Sequence, residues 1–247
     1  MKITFLGSSH GVPAPDRYCS ALMVEVGDKV YFVDAGAPLI DLLLRKGKTM
    51  SDVKAIFTTH AHGDHVDGLL QFIDLLDWYY KEDSVEIYMT EQKLTDAFIG
   101  VLDAIHPNPR RSERIRFALI DPDVVYDDGA LRVTFIPTKH IAGGARPSYA
   151  MLLEAEGKRV LVTGDLSQQL KMEDFPALAS ESETDVIICE MAHFGVTALR
   201  PYLGTFKTKQ MWFTHVYPYR RFDSILEIQN DYPYEIRIAH DDDVIEL

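Results

Sequence analysis

The sequence has very little cysteine, no long apolar run and no excess of positive charge. Cys19 and Cys189 are its only cysteines among 247 residues, too few for a disulfide framework or a cysteine-rich zinc module. No stretch approaches the roughly 18 apolar residues of a membrane span. The opening segment "MKITFLGSSHG" lacks the apolar core of a secretory signal. We therefore expect a globular, cytoplasmic protein with no membrane partner.

The charge balance argues against a general nucleic-acid surface. The chain carries 38 acidic and 25 basic residues, a formal net charge of -13, whereas nucleic-acid affinity depends on Lys and Arg neutralising phosphates. A small anionic substrate stays compatible with this charge, because an active-site metal supplies its own positive charge. With 47% hydrophobic residues the chain can bury a large core. Since no linker or low-complexity tract interrupts it, we predict a single domain over residues 1–247.

Strand-like and helix-like segments are mixed along the chain. Apolar stretches such as "KITFLG", "ALMVEV" and "RVLVTGD" predict strands, while "APLIDLLLRKGK" and "EQKLTDAFIGVLDAI" have the apolar spacing of helices. Some strands follow one another as hairpins, and others are separated by helices. This mixture predicts an α/β fold in which two sheets are covered by helices on their outer faces.

The densest group of chemically useful side chains lies in "TTHAHGDHVDG", residues 58–68, where a predicted strand meets a predicted helix. His60 and His62 are two residues apart, and Asp64 and His65 continue into the first helical turn. Imidazole and carboxylate groups together suit zinc, iron or manganese. Four such ligands are too many for one metal with open positions and too few for two. A second metal therefore requires ligands from elsewhere in the chain.

Other predicted strand ends supply these ligands. His140 ends "VTFIPTKH", Asp165 ends "VLVTGD" and His215 ends "MWFTH", and open α/β sheets present functional groups at such ends. Each residue alone is a common surface or turn residue, but the cluster at residues 60–65 favours metal binding for all of them. We predict that Asp165 bridges two ions, which are otherwise held by His60, His62 and His140 and by Asp64, His65 and His215.

These motifs resemble the metallo-β-lactamase fold superfamily. "HAHGDH" is followed by a later "GD" and a still later "TH", an order that matches the superfamily over nearly the whole chain. The resemblance implies a four-layer αββα sandwich, two mixed β-sheets flanked by helices, with a dinuclear site on their shared edge. Asp165 stands where zinc β-lactamases have a cysteine. This difference points to the phosphodiesterase, glyoxalase and ribonuclease branches.

Within the superfamily, the motifs are closest to the ribonuclease Z and cyclic-phosphodiesterase group. "FLGSSHGVP" is similar to its opening, and "FVDAG" matches the turn whose aspartate, here Asp34, braces the histidine cluster. "ICEMAHF" resembles the ribonuclease Z tail, which implies that His193 donates a proton; we count it as catalytic together with Asp64. Only 24 residues separate His140 from Asp165. That leaves no room for the tRNA-gripping arm of ribonuclease Z, so we expect a small substrate and no tRNA.

The predicted function is that of a dinuclear metal-dependent hydrolase. Two divalent ions, zinc first and manganese or iron as alternatives, polarise a phosphoryl oxygen and lower the pKa of a bridging water toward about 7. We therefore expect a bridging hydroxide to cleave a small phosphodiester or nucleotide-type substrate. A thioester or lactone hydrolase with the same ligands is the alternative, and a non-catalytic metal-bearing sensor or scaffold is another. The sequence leaves the oligomeric state open, a homodimer included.

Weaker signals lie outside the predicted ligands. His10 falls in a loop that the resemblance places near the mouth of the site, where a surface position and a substrate contact are both open. Trp78, Tyr79 and Tyr80 end a predicted helix, and we expect them to be buried by packing. Arginines form the only dense positive patch, which is interpreted either as a solvated face or as a phosphate contact; they are Arg110, Arg111, Arg114 and Arg116, and Arg220 and Arg221 raise the same question.

Overall fold

The computed structural model describes residues 1–12 and 14–247. Its strands are β1 (Lys2–Gly7), β2 (Ala21–Val26), β3 (Lys29–Val33), β4 (Val53–Phe57), β5 (Val85–Met89), β6 (Ile115–Leu119), β7 (Tyr126–Asp127), β8 (Arg132–Pro137), β9 (Tyr149–Ala155), β10 (Lys158–Val162), β11 (Thr184–Glu190), β12 (Thr208–Thr214), β13 (Glu235–Ile238) and β14 (Val244–Glu246). Its α-helices are α1 (Leu39–Arg45), α2 (Gly63–Trp78), α3 (Gln92–Ile105), α4 (Leu178–Glu181), α5 (Val196–Leu203) and α6 (Arg221–Glu227).

The strands form two seven-stranded mixed sheets, and each sheet has antiparallel pairs on one side and parallel pairs on the other. The first sheet has the order β14-β1-β2-β3-β4-β5-β6, with antiparallel pairing up to β3 and parallel pairing from β3 to β6. The second has the order β13-β12-β11-β10-β9-β8-β7, antiparallel from β7 to β10 and parallel from β10 to β13. Helices follow the parallel strands, because a parallel pair needs a long crossover connection.

Buried side chains form three groups that correspond to the spaces between layers. The first group lies between the sheets, where the rings of Phe5 and Trp212 stack 5.6 Å apart. The second packs the first sheet against α1, α2 and α3, with Phe32 of β3 against Phe72 of α2. The third packs the second sheet against α4, α5 and α6. The predicted αββα sandwich of two mixed sheets is confirmed.

The structure differs from the sequence-based expectation at the end of α2. The predicted burial of Trp78 and Tyr79 is wrong, since these side chains are 45% and 63% exposed. Tyr80 packs partly buried against the core on the helix side of the first sheet. The reason is helical periodicity: the apolar stripe of α2 runs through Phe72 and Leu76, and consecutive residues of a helix cannot all face one side.

The carboxyl ends of the parallel strands from both sheets meet at one edge. Backbone hydrogen bonds join the sheets there, from Tyr149 to the Thr59 carbonyl at 2.9 Å and from His215 to the Ser8 carbonyl at 2.9 Å. Along residues 1–12 and 14–247, none of the helices combines the length and apolar character that crossing a membrane requires. The assignment of residues 1–247 to a single domain stays a prediction.

Candidate metal centre

The segments that follow β4, β8, β10 and β12 bring the predicted ligands together at this shared edge. His60 and His62 follow β4, and the first turn of α2 contributes two more side chains. Each of the other ligands follows a different strand of the second sheet. All seven predicted side chains lie in two groups, and within each group the ligand atoms are within 4.8 Å of one another: His60, His62, His140 and Asp165 form one, and Asp64, His65 and His215 the other.

The first group combines three imidazoles with one carboxylate. His62 Nδ1 lies 2.9 Å from His60 Nε2 and 3.1 Å from His140 Nε2. Asp165 Oδ2 lies 3.7 Å from Nε2 of both His60 and His140. Three ring nitrogens and one carboxylate oxygen at such separations form a donor set that suits one borderline divalent ion.

The carboxylate of Asp165 also lies close to the histidines of the second group. Asp64 Oδ2 lies 3.5 Å from Nε2 of His65 and of His215. Asp165 Oδ2 lies 3.6 Å from the first of these nitrogens and 3.5 Å from the second. This atom of Asp165 therefore lies between the two groups, which is the position that the bridging hypothesis requires.

Hydrogen bonds on the far side of the histidine rings determine which nitrogen faces the centre. A ring that donates its Nδ1 hydrogen to an acceptor keeps the lone pair of Nε2 free for a metal. Three of the rings do so: His65 donates to Asp34 Oδ2 at 2.7 Å, His140 to the Leu166 carbonyl at 3.1 Å and His215 to the Ser9 carbonyl at 2.9 Å.

Asp34 braces the histidine cluster as its turn motif predicts. The carboxylate is buried and accepts hydrogen bonds from the Thr59 backbone N–H at 2.7 Å and from the Thr59 hydroxyl at 2.9 Å. The same hydroxyl lies 3.1 Å from His60 Nδ1. The Asp34 backbone has φ +63°, a left-handed conformation that aspartate tolerates better than most residues. Asp34 thus orients His65 directly and His60 through Thr59.

The unpaired atoms and the charge state of this site fit a divalent cation. Within the part of the chain that the structure describes, His65 Nε2 and Asp165 Oδ1 are buried without a hydrogen-bond partner. Such atoms carry an uncompensated desolvation cost, which contact with a cation would relieve. Burial, the largest influence on this ring, lowers the pKa of His60 well below its ordinary value. The ring is then neutral, as a metal ligand must be.

Glu190 is a site residue that the sequence-based prediction missed. It is buried at the end of β11 and accepts hydrogen bonds from the backbone N–H groups of Leu166 and Ala192. It also accepts one from His193 Nδ1 at 3.1 Å. Burial alone would lower the pKa of His193, but the hydrogen bond and charge of Glu190 outweigh it and raise that pKa to about 9. A signal was present: like Asp165, Glu190 is a charged residue at the end of an apolar strand.

Two further carboxylates hold loops around the ligands in place. Asp174 joins the loops that carry His140 and Asp165, and Asp241 joins the two ends of the segment from Ser8 to Tyr18, whose Ser9 carbonyl accepts from His215. Their hydrogen-bond partners are distant along the chain or lie in irregular segments, and local periodicity therefore does not predict these contacts. Asp174 accepts from Lys139 and Ser167, and Asp241 from Ser8 and Tyr18.

The arginine patch makes structural contacts. Arg111 is buried and donates to Asp77 at 2.6 Å, and Arg114 donates to backbone carbonyls near the end of α2. Arg110 and Arg116 pair with Glu113 and Glu86. Of the pair Arg220 and Arg221, Arg221 donates to the carbonyls of Met191 and Ala192 at 2.7 and 2.6 Å, and so supports the loop that precedes His193.

His10 occupies an interior position beside the ligands. Its side chain is buried, and its Nδ1 accepts a hydrogen bond from the Val12 backbone N–H at 3.0 Å. Its ring lies 4.0 Å from that of Tyr217 and 6.4 Å from that of His215. A surface position for His10 is thereby excluded, while its contact with a substrate stays a prediction.

Comparison with known proteins identifies the family of this chain. The family described as anti-Pycsar protein Apyc1 matches residues 1–219. The chain belongs to this family. Among curated relatives, ribonuclease Z from Synechococcus sp. (strain CC9311) is 30% identical over 186 residues, 73% of this chain and 57% of the relative. Ribonuclease Z from a Picosynechococcus species is 31% identical over 142 residues, 57% of this chain and 44% of the relative. The chain spans about half the length of the curated relatives it matches.

Solved structures share the architecture over its whole length. The metallo-β-lactamase fold protein YhfI from Bacillus subtilis superposes with a TM-score of 0.76 at 19% identity, covering 100% of this chain and 99% of that one. The short form of human tRNase Z has a TM-score of 0.74 at 20% identity, with the same coverage. A diphosphatase from the PhnP family has a TM-score of 0.64 at 19% identity, covering 100% and 97%. The predicted relationship to metallo-β-lactamase-fold proteins close to ribonuclease Z is confirmed.

Proposed function

We propose that this protein is a metal-dependent hydrolase that cleaves a small phosphodiester with the help of two divalent ions, zinc being the first choice. The observation that carries the proposal is the position of Asp165. Its Oδ2 atom lies 3.5 to 3.7 Å from Nε2 of four histidines that belong to the two donor groups: His60, His65, His140 and His215. One shared carboxylate between two donor groups is what a dinuclear centre needs.

Under this proposal the chain's own residues hold the ions, orient the ligands and move protons. When bound, divalent ions supply Lewis acidity for a phosphoryl oxygen and lower the pKa of water. One ion would be held by His60, His62 and His140 and the other by Asp64, His65 and His215, with Asp165 shared. Asp64 has the more exposed side chain of the two carboxylates, 16% against 3% for Asp165. Of the two carboxylates, it is therefore the one that faces substrate.

His193 is the proposed proton donor for the leaving oxygen. It is not among the seven predicted ligands, its side chain is 26% exposed, and its Nδ1 lies 3.6 Å from Asp165 Oδ2. Because Nδ1 donates to Glu190, Nε2 is the nitrogen left to face a substrate. Glu190 and Arg221 hold the loop that carries this ring.

Two observations support a small phosphodiester as the substrate. Relatives and structural neighbours named ribonuclease Z, tRNase Z and diphosphatase support a phosphorus-centred reaction over a thioester or lactone. The arginine patch does not distinguish a phosphodiester from a thioester or lactone, because its members pair with other protein groups. The 24 residues between His140 and Asp165 contain a short turn and the β9–β10 strands, which supports a small substrate. The names of the relatives leave tRNA as the alternative substrate.

A panel of substrates and metals tests the proposal. Metal-free protein would be loaded with zinc, manganese or iron(II) and assayed on bis(4-nitrophenyl) phosphate, an aryl thioester and a lactone, with metal-free protein as the control. We expect metal-dependent hydrolysis with a clear preference for the phosphodiester. Faster turnover of the thioester or lactone would transfer the function to that class. Two bound metals without turnover of any substrate would favour a sensor or scaffold.

A further inference from the structure

His140, one of the predicted ligands, is followed by a segment that is almost entirely exposed. Residues 142–147 are exposed without interruption. Three consecutive backbone positions are left-handed, with φ of +48° at Ala142, +64° at Gly143 and +91° at Gly144. This conformation is unfavourable for a residue with a Cβ atom such as Ala142, and it persists only where other contacts hold the segment. We call residues 141–147 the flap.

Hydrogen bonds at the base of the flap connect it to the ligand. The Ser148 hydroxyl accepts from the Thr138 hydroxyl at 2.7 Å and from the His140 backbone N–H at 3.3 Å. The Thr138 N–H donates to the Ser148 carbonyl at 2.8 Å. Because these contacts enclose His140, a change in the position of the flap is transmitted to the backbone of this ligand.

A forked ion pair joins the flap to the first sheet. The Arg146 guanidinium donates to Glu91 Oε1 from Nη2 at 2.7 Å and from Nε at 3.0 Å, and to Glu91 Oε2 from Nε at 3.3 Å. A guanidinium that contacts both oxygens of a carboxylate fixes orientation as well as distance. The flap, which connects β8 to β9 of the second sheet, is therefore fixed to a residue of the first sheet.

The helix that follows Glu91 does not use its side chain. Glu91 is the N-cap residue of α3, but it makes no side-chain capping hydrogen bond there, and glutamate is not among the preferred capping residues. It lies two residues after β5, which pairs with β4, the strand that leads to His60 and His62. The carboxylate thus reaches across the shared edge of the sheets beside the first donor group.

We propose that Glu91 and Arg146 are positioning residues, which hold His140 at the correct distance from the other two histidines of the first donor group. His60 and His62 come from the first sheet and His140 from the second, and His62 Nδ1 lies 3.1 Å from His140 Nε2. A pair that joins the two sheets beside these rings fixes that separation. The inference rests on the metal-binding part of the proposed function.

Zinc affinity tests the inference without any substrate. Zinc-loaded protein would be titrated with a chromophoric chelator, which removes the two ions in order of affinity and gives a Kd for each. In Arg146→Gln and in Glu91→Gln, the Kd of one ion should rise about 2- to 5-fold, the range that a partly exposed ion pair supports, and the other Kd should not change. E91R/R146E should restore the wild-type value, because the pair forms again with its charges exchanged.

A double-mutant cycle identifies the ligand through which the pair acts. If Arg146 acts through His140, Arg146→Gln should have no further effect on zinc affinity in the background of His140→Ala. It should keep its full effect in the background of His215→Ala, which removes a ligand of the second donor group. Raising the salt concentration should reduce the difference between the wild-type protein and Arg146→Gln, because salt screens exposed charges.

Arg110→Gln provides the matched control. Arg110 makes a forked pair of the same kind with Glu113, at 2.8 to 3.0 Å. This pair precedes β6, at the amino ends of the parallel strands and so at the edge opposite to the metal centre. Its loss should change neither Kd. Thermal midpoints would be measured for every variant, so that affinities are compared only among folded proteins.

The outcomes separate the inference from the proposed function. Unchanged Kd values in both Arg146→Gln and Glu91→Gln, or an effect of Arg146→Gln that is the same with and without His140, would overturn the positioning role and leave the proposed function intact. Equal weakening of both ions would also overturn it. A wild-type protein that binds no zinc would overturn the proposed function, and the positioning role with it.

Discussion

At the residue scale, the buried carboxylates Asp165 and Asp34 have different roles in the site. Asp165 Oδ2 faces ring nitrogens of both donor groups, at 3.5 Å from His215 and 3.7 Å from His60. Asp34 contacts the far side of one ring, His65 Nδ1, at 2.7 Å. Removing a shared ligand should therefore be more damaging than removing a residue that orients one ligand.

We expect Asp165→Ala to abolish most metal-dependent turnover and to weaken binding of at least one metal ion. Asp34→Ala should be milder, with a loss of about 10- to 100-fold, because loss of an outer hydrogen-bond partner typically costs that much in affinity or activity. Metal content by elemental analysis and turnover of one phosphodiester would be measured on the same samples. Equal losses in the two variants would show that Asp165 does not bridge.

The second residue-scale prediction concerns His193. Proton donation to an alkyl leaving oxygen accelerates hydrolysis by about 10² to 10⁴, whereas a nitrophenolate leaves without such help. His193→Ala should therefore keep both metals and slow nucleoside or alkyl phosphodiesters far more than nitrophenyl ones. Parallel kinetics on the two substrate types, with metal content measured, would check it.

Two other results would reassign His193. A similar loss on both substrate types would make it a positioning residue. Loss of a metal ion would make it a ligand, as its proximity to Asp165 and Glu190 allows.

At the scale of elements, α2 positions half of the histidine cluster through a close backbone contact. Asp64 and His65 lie in its first turn. One turn later, the Gly68 N–H donates to the Ala35 carbonyl at 2.7 Å. A Cβ at Gly68 would be 2.0 Å from the Ala37 carbonyl oxygen. Glycine is therefore required where the helix docks on the turn that carries Asp34.

Gly68→Ala should lower the free energy of unfolding by about 1–3 kcal/mol, the cost typical of overpacking, and should weaken metal binding. Gly100→Ala is the matched control, because Gly100 lies in α3 with no atom within 4 Å of the position of a Cβ. It should stabilise the protein by about 0.5–1 kcal/mol through helix propensity. Urea unfolding of both variants would measure these changes in the free energy of unfolding. An unchanged free energy of unfolding in Gly68→Ala would show that the backbone around Ala37 moves to accommodate the added methyl group.

At the scale of the whole molecule, the two donor groups predict two divalent ions per chain. Protein purified without chelator should contain close to two by elemental analysis. Removing them should lower the thermal midpoint, because a ligand that binds only the folded state stabilises it. A saturating value near one ion per folded chain would contradict the dinuclear centre.

The net charge makes a further prediction at this scale. With 38 acidic against 25 basic residues, the surface should bind tRNA precursors weakly at physiological salt, because tight binding needs many phosphate contacts. Electrophoretic and cleavage assays on a tRNA precursor, with bis(4-nitrophenyl) phosphate as the activity control, would check it. Specific cleavage at a tRNA 3′ end would establish tRNA as the substrate instead.

The sequence by itself determined the local features of this protein. Strands such as Lys2–Gly7 and Ala21–Val26 match their predicted segments, because apolar runs bounded by turns depend on neighbouring residues. The ligands were identifiable for the same reason: His140, Asp165 and His215 each follow an apolar strand in a chain that also contains the cluster at residues 60–65.

Only the tertiary structure decided which groups support the site, because these contacts join residues far apart in the chain. Glu190 joins Leu166 to His193, and no local pattern states that pairing. The arginine patch looked available for phosphate, yet Arg111 is taken up by Asp77, 34 residues away. Periodicity describes one segment at a time, whereas the burial of a polar group depends on every segment that packs around it.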